Sequence, residues 1–290
     1  MRYSCLHTHT DFCDGATDLD SMCRAAYERG LVSIGFSSHA PLPLSFAPPS
    51  PWHLLSERLD EYAGAVREAK ARWAGKIDVY LGLEIDYIRG FCGPKDGRFV
   101  HLNLDYIIGS VHYLVPANSY TPFTVDGPEE EWLDGIQKGF AGDGEAAVAA
   151  YWTAVTEMVT EGGFDIVGHL DLVKKNNKLH SYDEAGIENR KGGLGAVKAI
   201  AKRDIITEVN TGGLNRKKID EVYPAPWLLK AMHENGIRTT INADAHEPEH
   251  LDGYYELAKK ELIGAGYTET MLFGGKDSKG KASWSAEALQ

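Results

Sequence analysis

Six short apolar runs in this 290-residue chain each lead directly into a histidine or an acidic residue. Each run has the length and composition of a buried strand. If the runs are parallel strands around one barrel, their carboxyl ends meet at one rim, where the active sites of such barrels lie. The residues at the run ends are all potential metal ligands: His7 with His9, His39, Glu84, His112, His169, and Asp244 with His246. This pattern predicts a polynuclear metal site.

The rest of the pattern alternates predicted strands with predicted helices. Seven strands are predicted at residues 2–7, 31–37, 77–84, 104–111, 164–168, 204–209 and 237–242. Helices are predicted at residues 19–29, 53–73, 144–161, 184–202, 224–235 and 248–264. Strands joined in this way favour a parallel sheet, because parallel neighbours need crossover connections.

Two segments depart from the alternation. The polar stretch 116–143 is too long for a simple connection, so we interpret it as a candidate lid or substrate loop. The tail at 274–290 is rich in Gly, Lys and Ser and is predicted to be loosely packed. Residues 1–273 are then expected to form a single domain.

Composition indicates an enzyme-like globular chain and disfavours some partners. The formal net charge of −12 disfavours binding to nucleic acids or anionic membranes, because both need a basic surface. No signal-peptide core and no membrane-length apolar run occurs. The four cysteines form no CxxC pair and are interpreted as free thiols, which predicts a cytoplasmic location.

The ligand signals are modest one by one and strong together. His7 and His9 on a strand point to the same face, because side chains alternate, and Asp244 with His246 repeats that spacing. Glu84 is either a ligand or half of an internal salt bridge. A single strand-end histidine is more often a hydrogen-bonded core residue than a ligand. The remaining histidines lie outside the pattern and are interpreted as surface or structural: His53, His101, His180, His233 and His250.

Six segments together resemble a known family. They are HTHTDFCDG at 7–15, SSHAPLP at 37–43, GLEIDY at 82–87, GSVHYL at 109–114, GHLDLVKKN at 168–176 and NADAHEPEHL at 242–251. Their order resembles the polymerase-and-histidinol-phosphatase (PHP) superfamily of metal-dependent phosphoesterases over about residues 3–265. The stretches 39–43, 164–176 and 208–214, with Tyr223-Pro224, resemble its stand-alone histidinol-phosphatase branch more closely.

The resemblance implies a distorted (β/α)7 TIM-like barrel with three divalent ions at the carboxyl-terminal rim of the strands. The first ion would take His7, His9, Glu84 and Asp244. The second would share Glu84 and add His112 and His169, and the third would take Asp14, His39 and His246. Asp14, rather than Asp11, stands at the position of the family's ligand. Many relatives carry an acidic residue just before the histidine that corresponds to His39, whereas this chain has Ser37 and Ser38.

Charge supports a phosphate substrate. Three carboxylate ligands and three divalent ions would leave the site at about +3 on an acidic protein. Our hypothesis is attack on phosphorus by a metal-bridging hydroxide, with Glu84, Asp244 and His246 as catalytic residues. The leaving oxygen would be protonated either by metal-bound water or by an acidic ligand such as Asp244. Zinc, iron and manganese all suit mixed nitrogen and oxygen ligands, so the metal stays open.

Basic residues near the rim are expected to bind the phosphate. Arg216 is the first candidate, because its loop follows a strand end, and Arg190 and either Lys174 or Lys175 are the second choices. An acidic group in the 116–143 stretch is a candidate partner for a substrate amine or imidazole.

The function implied is hydrolysis of L-histidinol phosphate to L-histidinol and phosphate, a reaction of histidine biosynthesis. Three alternatives stay open. A related phosphoesterase could act on nucleotides, DNA ends or another small phosphate ester. A metal-dependent C–N hydrolase is disfavoured, since no bridging lysine ends a strand. The third alternative is a non-catalytic metal-binding module. The oligomeric state is not predicted.

Overall fold

Seven parallel strands form a barrel in the computed structural model, which describes residues 1–43, 46, 52–117 and 121–290. The strands of the described residues are β1 Ser4–Cys5, β2 Ser33–Phe36, β3 Asp78–Asp86, β4 Tyr106–Ser110, β5 Tyr113–Leu114, β6 Phe123–Thr124, β7 Ile166–Val167, β8 Ile206–Asn210, β9 Thr239–Asn242, β10 Glu269–Lys276 and β11 Ala282–Ala288. The α-helices are α1 Leu19–Glu28, α2 Leu59–Arg72, α3 Glu129–Gly139, α4 Gly144–Glu161, α5 Ile187–Ile200, α6 Gly212–Asn215, α7 Pro226–Glu234 and α8 Tyr255–Ala265.

The barrel strands follow one another in chain order, β1-β2-β3-β4-β7-β8-β9, and every neighbouring pair is parallel. The ring closes just beyond the ends of β1 and β9 through a parallel bridge between Thr8 and Ala245. There the amide of His9 donates to the carbonyl of Ala245 at 2.8 Å, and the amide of Ala245 donates to the carbonyl of His7 at 3.0 Å. The predicted seven-stranded TIM-like barrel is confirmed.

The barrel interior changes character along each strand. On β3 every second side chain faces inward, so that the same strand contributes Tyr80 and Gly82 at its start and Glu84 and Asp86 at its end. The side chain of Tyr106 fills the space left by two glycines, since an added Cβ at Gly35 or Gly82 would approach that side chain to 2.4 Å. The apolar group at the amino-terminal end of the strands, called the lower layer here, consists of Leu6, Tyr80, Tyr106, Ile108, Ile166 and Phe273.

The helices pack against the outside of the barrel in a larger core. Helix α1 begins after Asp18, whose side chain accepts a hydrogen bond from the amide of Ser21 at 2.9 Å. Its buried face includes Met22 and Cys23. None of the helices in the described part of the chain has the length and apolarity needed to cross a membrane.

The stretch 116–143 differs from the predicted loop. Its described residues form strand β6, which pairs with β5, and helix α3. Trp132 on α3 is fully buried, and its indole nitrogen donates to the hydroxyl of Ser181 at 3.0 Å. Most residues of α3 are polar or charged, so the few residues that it buries do not stand out in the sequence. The stretch is therefore largely packed structure, with residues 118–120 outside the described part.

The tail at 274–290 contains the end of strand β10 and all of strand β11. The predicted boundary after Phe273 falls inside β10, which pairs antiparallel with β11 from Glu269–Ala288 to Lys276–Ala282. Phe273 lies 4.8 Å from Tyr80 and 5.1 Å from Trp284, measured between ring centroids, and Leu289 is fully buried. The hairpin thus covers the lower layer, because apolar side chains in its otherwise polar sequence, such as Trp284, pack against that layer.

Candidate metal centre

The structure brings all nine predicted metal ligands together at the carboxyl ends of the barrel strands. Four overlapping groups have ligand atoms within 4.8 Å of one another. They are His7, His9 and Asp244; His7, Glu84 and His169; His39, Glu84 and His112; and His9, Asp14, His39 and His246. We call these nine residues the metal cluster.

Glu84 lies at the centre of the metal cluster and faces five imidazoles, of which that of His9 is the most distant at 3.7 Å. Its Oε2 atom is 3.2 Å from His7 Nε2 and 2.9 Å from His39 Nδ1. Its Oε1 atom is 2.9 Å from His169 Nε2 and 3.4 Å from His112 Nε2, while the hydroxyl of Ser110 donates to it at 2.6 Å. A carboxylate placed between two sets of imidazoles has the position of a bridging ligand.

Several buried polar atoms of the metal cluster have no hydrogen-bond partner among the described residues. His39 Nδ1 and Glu84 Oε2 are close, yet they are not aligned for a hydrogen bond, so both point into shared space. Leaving such atoms unpaired is unfavourable unless another group binds them. The atoms are His7 Nε2, His9 Nε2, His39 Nδ1 and Glu84 Oε2. Ligands of one zinc-like ion stand roughly 3–3.5 Å apart, so this donor set fits divalent metal binding.

Asp244 enters the cluster through an unusual backbone conformation. Its φ angle is +49°, in the left-handed region that Asp and Asn tolerate better than most residues. Gly212 makes room for it, because a Cβ at that position would lie 2.8 Å from the Asp244 Cβ. Asp244 Oδ1 is 3.3 Å from His9 Nε2, and Oδ2 accepts a hydrogen bond from Arg216 at 2.9 Å.

The outer side of the metal cluster is built around Asp14. Its carboxylate oxygens lie 3.1 Å from His246 Nε2, 3.5 Å from His9 Nδ1 and 3.9 Å from His39 Nε2. The Asp14 side chain is 29% exposed, whereas Glu84 is 1% exposed. The Asp14 side of the cluster is therefore the one that opens to a ligand.

Two buried carboxylates that the sequence interpretation missed support the ligands. Glu208 faces His7 Nδ1 at 3.0 Å, and it accepts hydrogen bonds from the amide of His169 and from Asn210 and Asn242 at 2.7–2.9 Å. Contacts of this kind fix the tautomer and orientation of a ligating histidine. An acidic residue inside the buried run Ile206–Asn210 was the signal available in the sequence.

Asp86 plays the same part on the other side. Its carboxylate lies 2.8 Å from His112 Nδ1 and 2.8 Å from His53 Nε2. His53 is only 7% exposed and contacts this supporting carboxylate. Of the two interpretations given for His53, surface or structural, the structure favours the structural one. Asp86 follows Glu84 by two residues and therefore shares its inward face.

The charges of the metal cluster shift the pKa values of its groups in opposite directions. Burial disfavours charge on His39 and His112, but Glu84 outweighs it for His39, and Asp86 with Glu84 outweighs it for His112. Their pKa values rise to about 9 and about 10. Burial, together with the neighbouring imidazoles of His246 and His39, lowers the pKa of His9 to about 3. The facing imidazoles overcome burial and hold the pKa of Glu84 well below its usual value.

A pocket of about 480 Å³ opens onto the cluster. Metal-cluster residues Asp14, His39, His112, His169 and Asp244 form its floor. Its other charged lining residues are Asp126, Glu129, Lys175, Lys178, Arg216 and Lys218. A volume of this size suits a small molecule, and the cations suit an anionic group.

Of the predicted phosphate-binding residues, Arg216 lies in the pocket and two others do not. Lys174 does not line the pocket, and its buried amino group contacts Asp171 Oδ2 at 3.0 Å and Glu221 Oε1 at 2.7 Å. Arg190 does not line the pocket either, and its guanidinium stacks 4.1 Å above the Trp227 ring. The alternative Lys175 does line it, and Lys178 and Lys218, which were not predicted, join it.

Comparisons with known proteins show which sequences this chain resembles. The sequence model of the PHP domain family matches residues 6–212. A Deinococcus radiodurans protein named "Probable histidinol-phosphatase" is 33% identical over 266 residues, which are 90% of this chain and 92% of the relative. The histidinol-phosphatase of Bacillus subtilis is 30% identical over 265 residues, which are 86% of this chain and 96% of the relative.

A solved structure supports the fold independently. The histidinol phosphate phosphatase of Lactococcus lactis, crystallised with zinc, L-histidinol and phosphate, has a TM-score of 0.70 to this chain at 22% sequence identity. The match covers 97% of this chain and 99% of the other. Both chains therefore share one barrel architecture along nearly their entire length.

Proposed function

Since the chain belongs to the PHP domain family, we propose that it is a metal-dependent phosphomonoesterase that hydrolyses L-histidinol phosphate to L-histidinol and phosphate. The observation that carries the proposal is one pocket in which the metal cluster meets Arg216 and three lysines, on a chain with a net charge of −12. The two relatives that are 30% or more identical carry the name of this activity. The reaction belongs to histidine biosynthesis.

The nine residues of the metal cluster would hold three divalent ions, in the sets implied by the family resemblance. Glu84 would bridge the two inner sets, and Asp14, His39 and His246 would complete the outer one, where His9 also lies within reach. Zinc is the first candidate because the Lactococcus lactis protein was crystallised with it; manganese and iron suit the same donors. When bound, such ions supply an activated water and neutralise charge on the phosphoryl oxygens.

Arg216 would bind and orient the phosphoryl group. One terminal nitrogen is held by Asp244 Oδ2, and the buried Nε has no hydrogen-bond partner among the described residues. The guanidinium is therefore fixed in place by the cluster and still offers donors in the fork geometry that matches phosphate oxygens. Lys175, Lys178 and Lys218 would add positive charge around it.

Asp244 is better suited to a ligand role than to protonation of the leaving oxygen. Burial raises its pKa, but Arg216 and the imidazoles of His7 and His9 outweigh burial and hold the pKa well below its usual value. A carboxyl group kept ionised in this way has no proton to donate. Of the two proton sources that the sequence left open, this favours water at the site.

We also propose a cytoplasmic location, which the four unpaired cysteines support. The substrate is a small phosphate monoester, consistent with a pocket of about 480 Å³.

The test is a comparison of phosphate release from L-histidinol phosphate, p-nitrophenyl phosphate and nucleoside monophosphates. The purified protein is assayed after loading with zinc, manganese or iron, and its metal content is measured by elemental analysis. We expect the highest kcat/KM with histidinol phosphate. A higher value with a nucleotide would contradict the proposed substrate, and metal-loaded protein without any phosphatase activity would contradict the proposed chemistry.

A further inference from the structure

Asp126 stands apart from the other acidic residues of the pocket. Among the lining residues, the acidic side chains outside the metal cluster are Asp126 and Glu129. Asp126 is the second residue after strand β6, and the amide of the intervening Val125 donates to the carbonyl of His112 at 2.8 Å. One backbone hydrogen bond thus ties its position to a residue of the metal cluster.

Side chains from the segment after His169 fix the backbone of Asp126 on both sides. The amide group of Asn176 donates to the carbonyls of Val125 and Gly127, both at 2.9 Å. The amino group of Lys175 donates to the carbonyl of Asp126 itself. The backbone that carries the Asp126 side chain is therefore held at the pocket wall by hydrogen bonds to its carbonyls, which is typical of a preorganised binding group.

The carboxylate itself has free capacity to accept hydrogen bonds. Lys175 Nζ lies 3.4 Å from Oδ2, a long contact, and Oδ1 accepts no hydrogen bond from the residues that the structure describes. Burial raises the pKa of Asp126, but Lys175, His112, His169 and Arg216 outweigh burial and lower it. An ionised carboxylate in the pocket lining, with one oxygen that accepts no hydrogen bond from the described residues, is suited to a cationic group of the ligand.

The proposed substrate presents such a group. In L-histidinol phosphate the primary ammonium is carried by the carbon next to the one that bears the ester oxygen. A pocket that places cations and one anchored carboxylate beside the same metal cluster is complementary to a molecule with a phosphate and a nearby ammonium. Neutral phosphate esters of similar size gain nothing from the carboxylate.

We propose that Asp126 binds the ammonium group of the substrate and makes the enzyme selective for phosphate monoesters that carry an amine close to the phosphate. The inference rests on the proposed function and deepens it, because it assigns the selectivity to one side chain. Asp126 acts in substrate binding, so its effect falls mainly on KM when the ammonium contact is equally strong before and during the reaction.

The experiment compares two variants on two substrates. Asp126→Asn removes the charge and keeps the shape, while Asp134→Asn removes one charge from the exposed side of α3, where Asp134 pairs with Lys138 at 2.7 Å. The substrates are L-histidinol phosphate and the same ester without its amine, imidazolylpropyl phosphate. Metal content is measured for each protein, so that loss of ions is recognised separately.

We expect Asp126→Asn to lower kcat/KM for histidinol phosphate about 10- to 100-fold, the usual range for a lost charge-assisted contact. The value for the amine-free ester should stay within about 2-fold, and Asp134→Asn should leave both substrates unchanged. The wild-type enzyme should prefer the amine-bearing ester by a similar factor.

Three results would overturn the inference. An equal loss on both esters would make Asp126 a structural residue, for example through Lys175. No loss on either would exclude a role in binding. A wild-type enzyme that hydrolyses both esters equally well would remove the amine preference but leave the proposed phosphatase intact. By contrast, a protein that hydrolyses p-nitrophenyl phosphate and neither imidazole ester would refute the proposed substrate and, with it, this inference.

Discussion

The lower layer and the metal cluster occupy the two ends of the same barrel interior and are built on opposite principles. The lower layer is apolar and close-packed, with Phe273 contributed by the hairpin. The hydroxyl of Tyr106 donates a hydrogen bond to the carbonyl of Leu6. The metal cluster buries unpaired nitrogen and oxygen atoms a few residues further along the same strands. On β3, a single inward position, that of Gly82, separates Tyr80 from Glu84. One end of the barrel thus stabilises the fold so that the other end can hold groups that would destabilise it.

The sharpest test of the comparison is Asp244→Asn in the metal cluster. Asn tolerates the left-handed backbone of this position, so the variant removes the charge without the strain that Ala would add. We expect kcat/KM to fall at least about 1000-fold, about 4 kcal/mol, because a ligand and the partner of Arg216 are lost together. Phosphate release and metal content measure the effect, and near-normal activity would show that Asp244 is not part of the chemistry.

Phe273→Ala tests the other end. Removing this ring from the lower layer should lower the free energy of unfolding by about 3–5 kcal/mol, since a cavity replaces its contacts with Tyr80 and Tyr106. Activity well below the unfolding midpoint should stay within about 2-fold. Urea denaturation and steady-state assays check both parts. A parallel loss of metal affinity would show that the two ends are coupled rather than separate.

Glu208→Gln tests whether support for a ligand can be separated from the ligand itself. The amide cannot accept all the hydrogen bonds that converge on Glu208 from His7, His169, Asn210 and Asn242. Metal affinity should fall about 10- to 100-fold, and activity should recover at saturating metal. Competition with a chelator measures the affinity. Unchanged affinity would assign Glu208 to the fold alone.

The smallest expected effect concerns pH. In the metal-free chain the raised pKa values of His39 and His112 contribute stability below about pH 6.5, and that contribution is lost as pH rises through about 9 and 10. Metal binding has the opposite dependence, because it needs neutral imidazoles. The difference in unfolding midpoint between metal-loaded and metal-free protein should therefore widen between pH 6 and pH 9. Thermal unfolding across this range checks the sign, and a constant difference would contradict it.

The sequence was sufficient for the barrel and for the convergence of the ligand side chains. Both depend on local features, namely apolar runs of strand length and the residue type at the end of each run. The apolar pairing of β10 with β11 was missed because Trp284 and Leu289 stand alone in a polar segment and acquire partners only in the fold. Helix α3 was missed because its acidic first turn makes the segment look like a polar loop, although the helix buries Trp132.

Neighbouring residues in the site were harder to separate than elements of the fold. Lys174 and Lys175 are adjacent in a short 3₁₀ segment, Leu172–Asn176, and only the backbone direction decides which amino group reaches the pocket. Glu208 likewise resembles a ligand in sequence. Its position facing the far nitrogen of His7 makes it a support, and that distinction is tertiary.

The seam where the barrel ring closes has a consequence for the lifetime of the protein. The backbone hydrogen bonds at that seam join residues 7–9 to Ala245, which lies between Asp244 and His246. An ion held by His7, His9 and Asp244 would therefore link the first strand to the last. Without a bound ion, the two backbone hydrogen bonds alone would hold this junction, so we expect it to open locally more often. The strand edges exposed by such opening would be sites for proteolysis and for pairing with other chains.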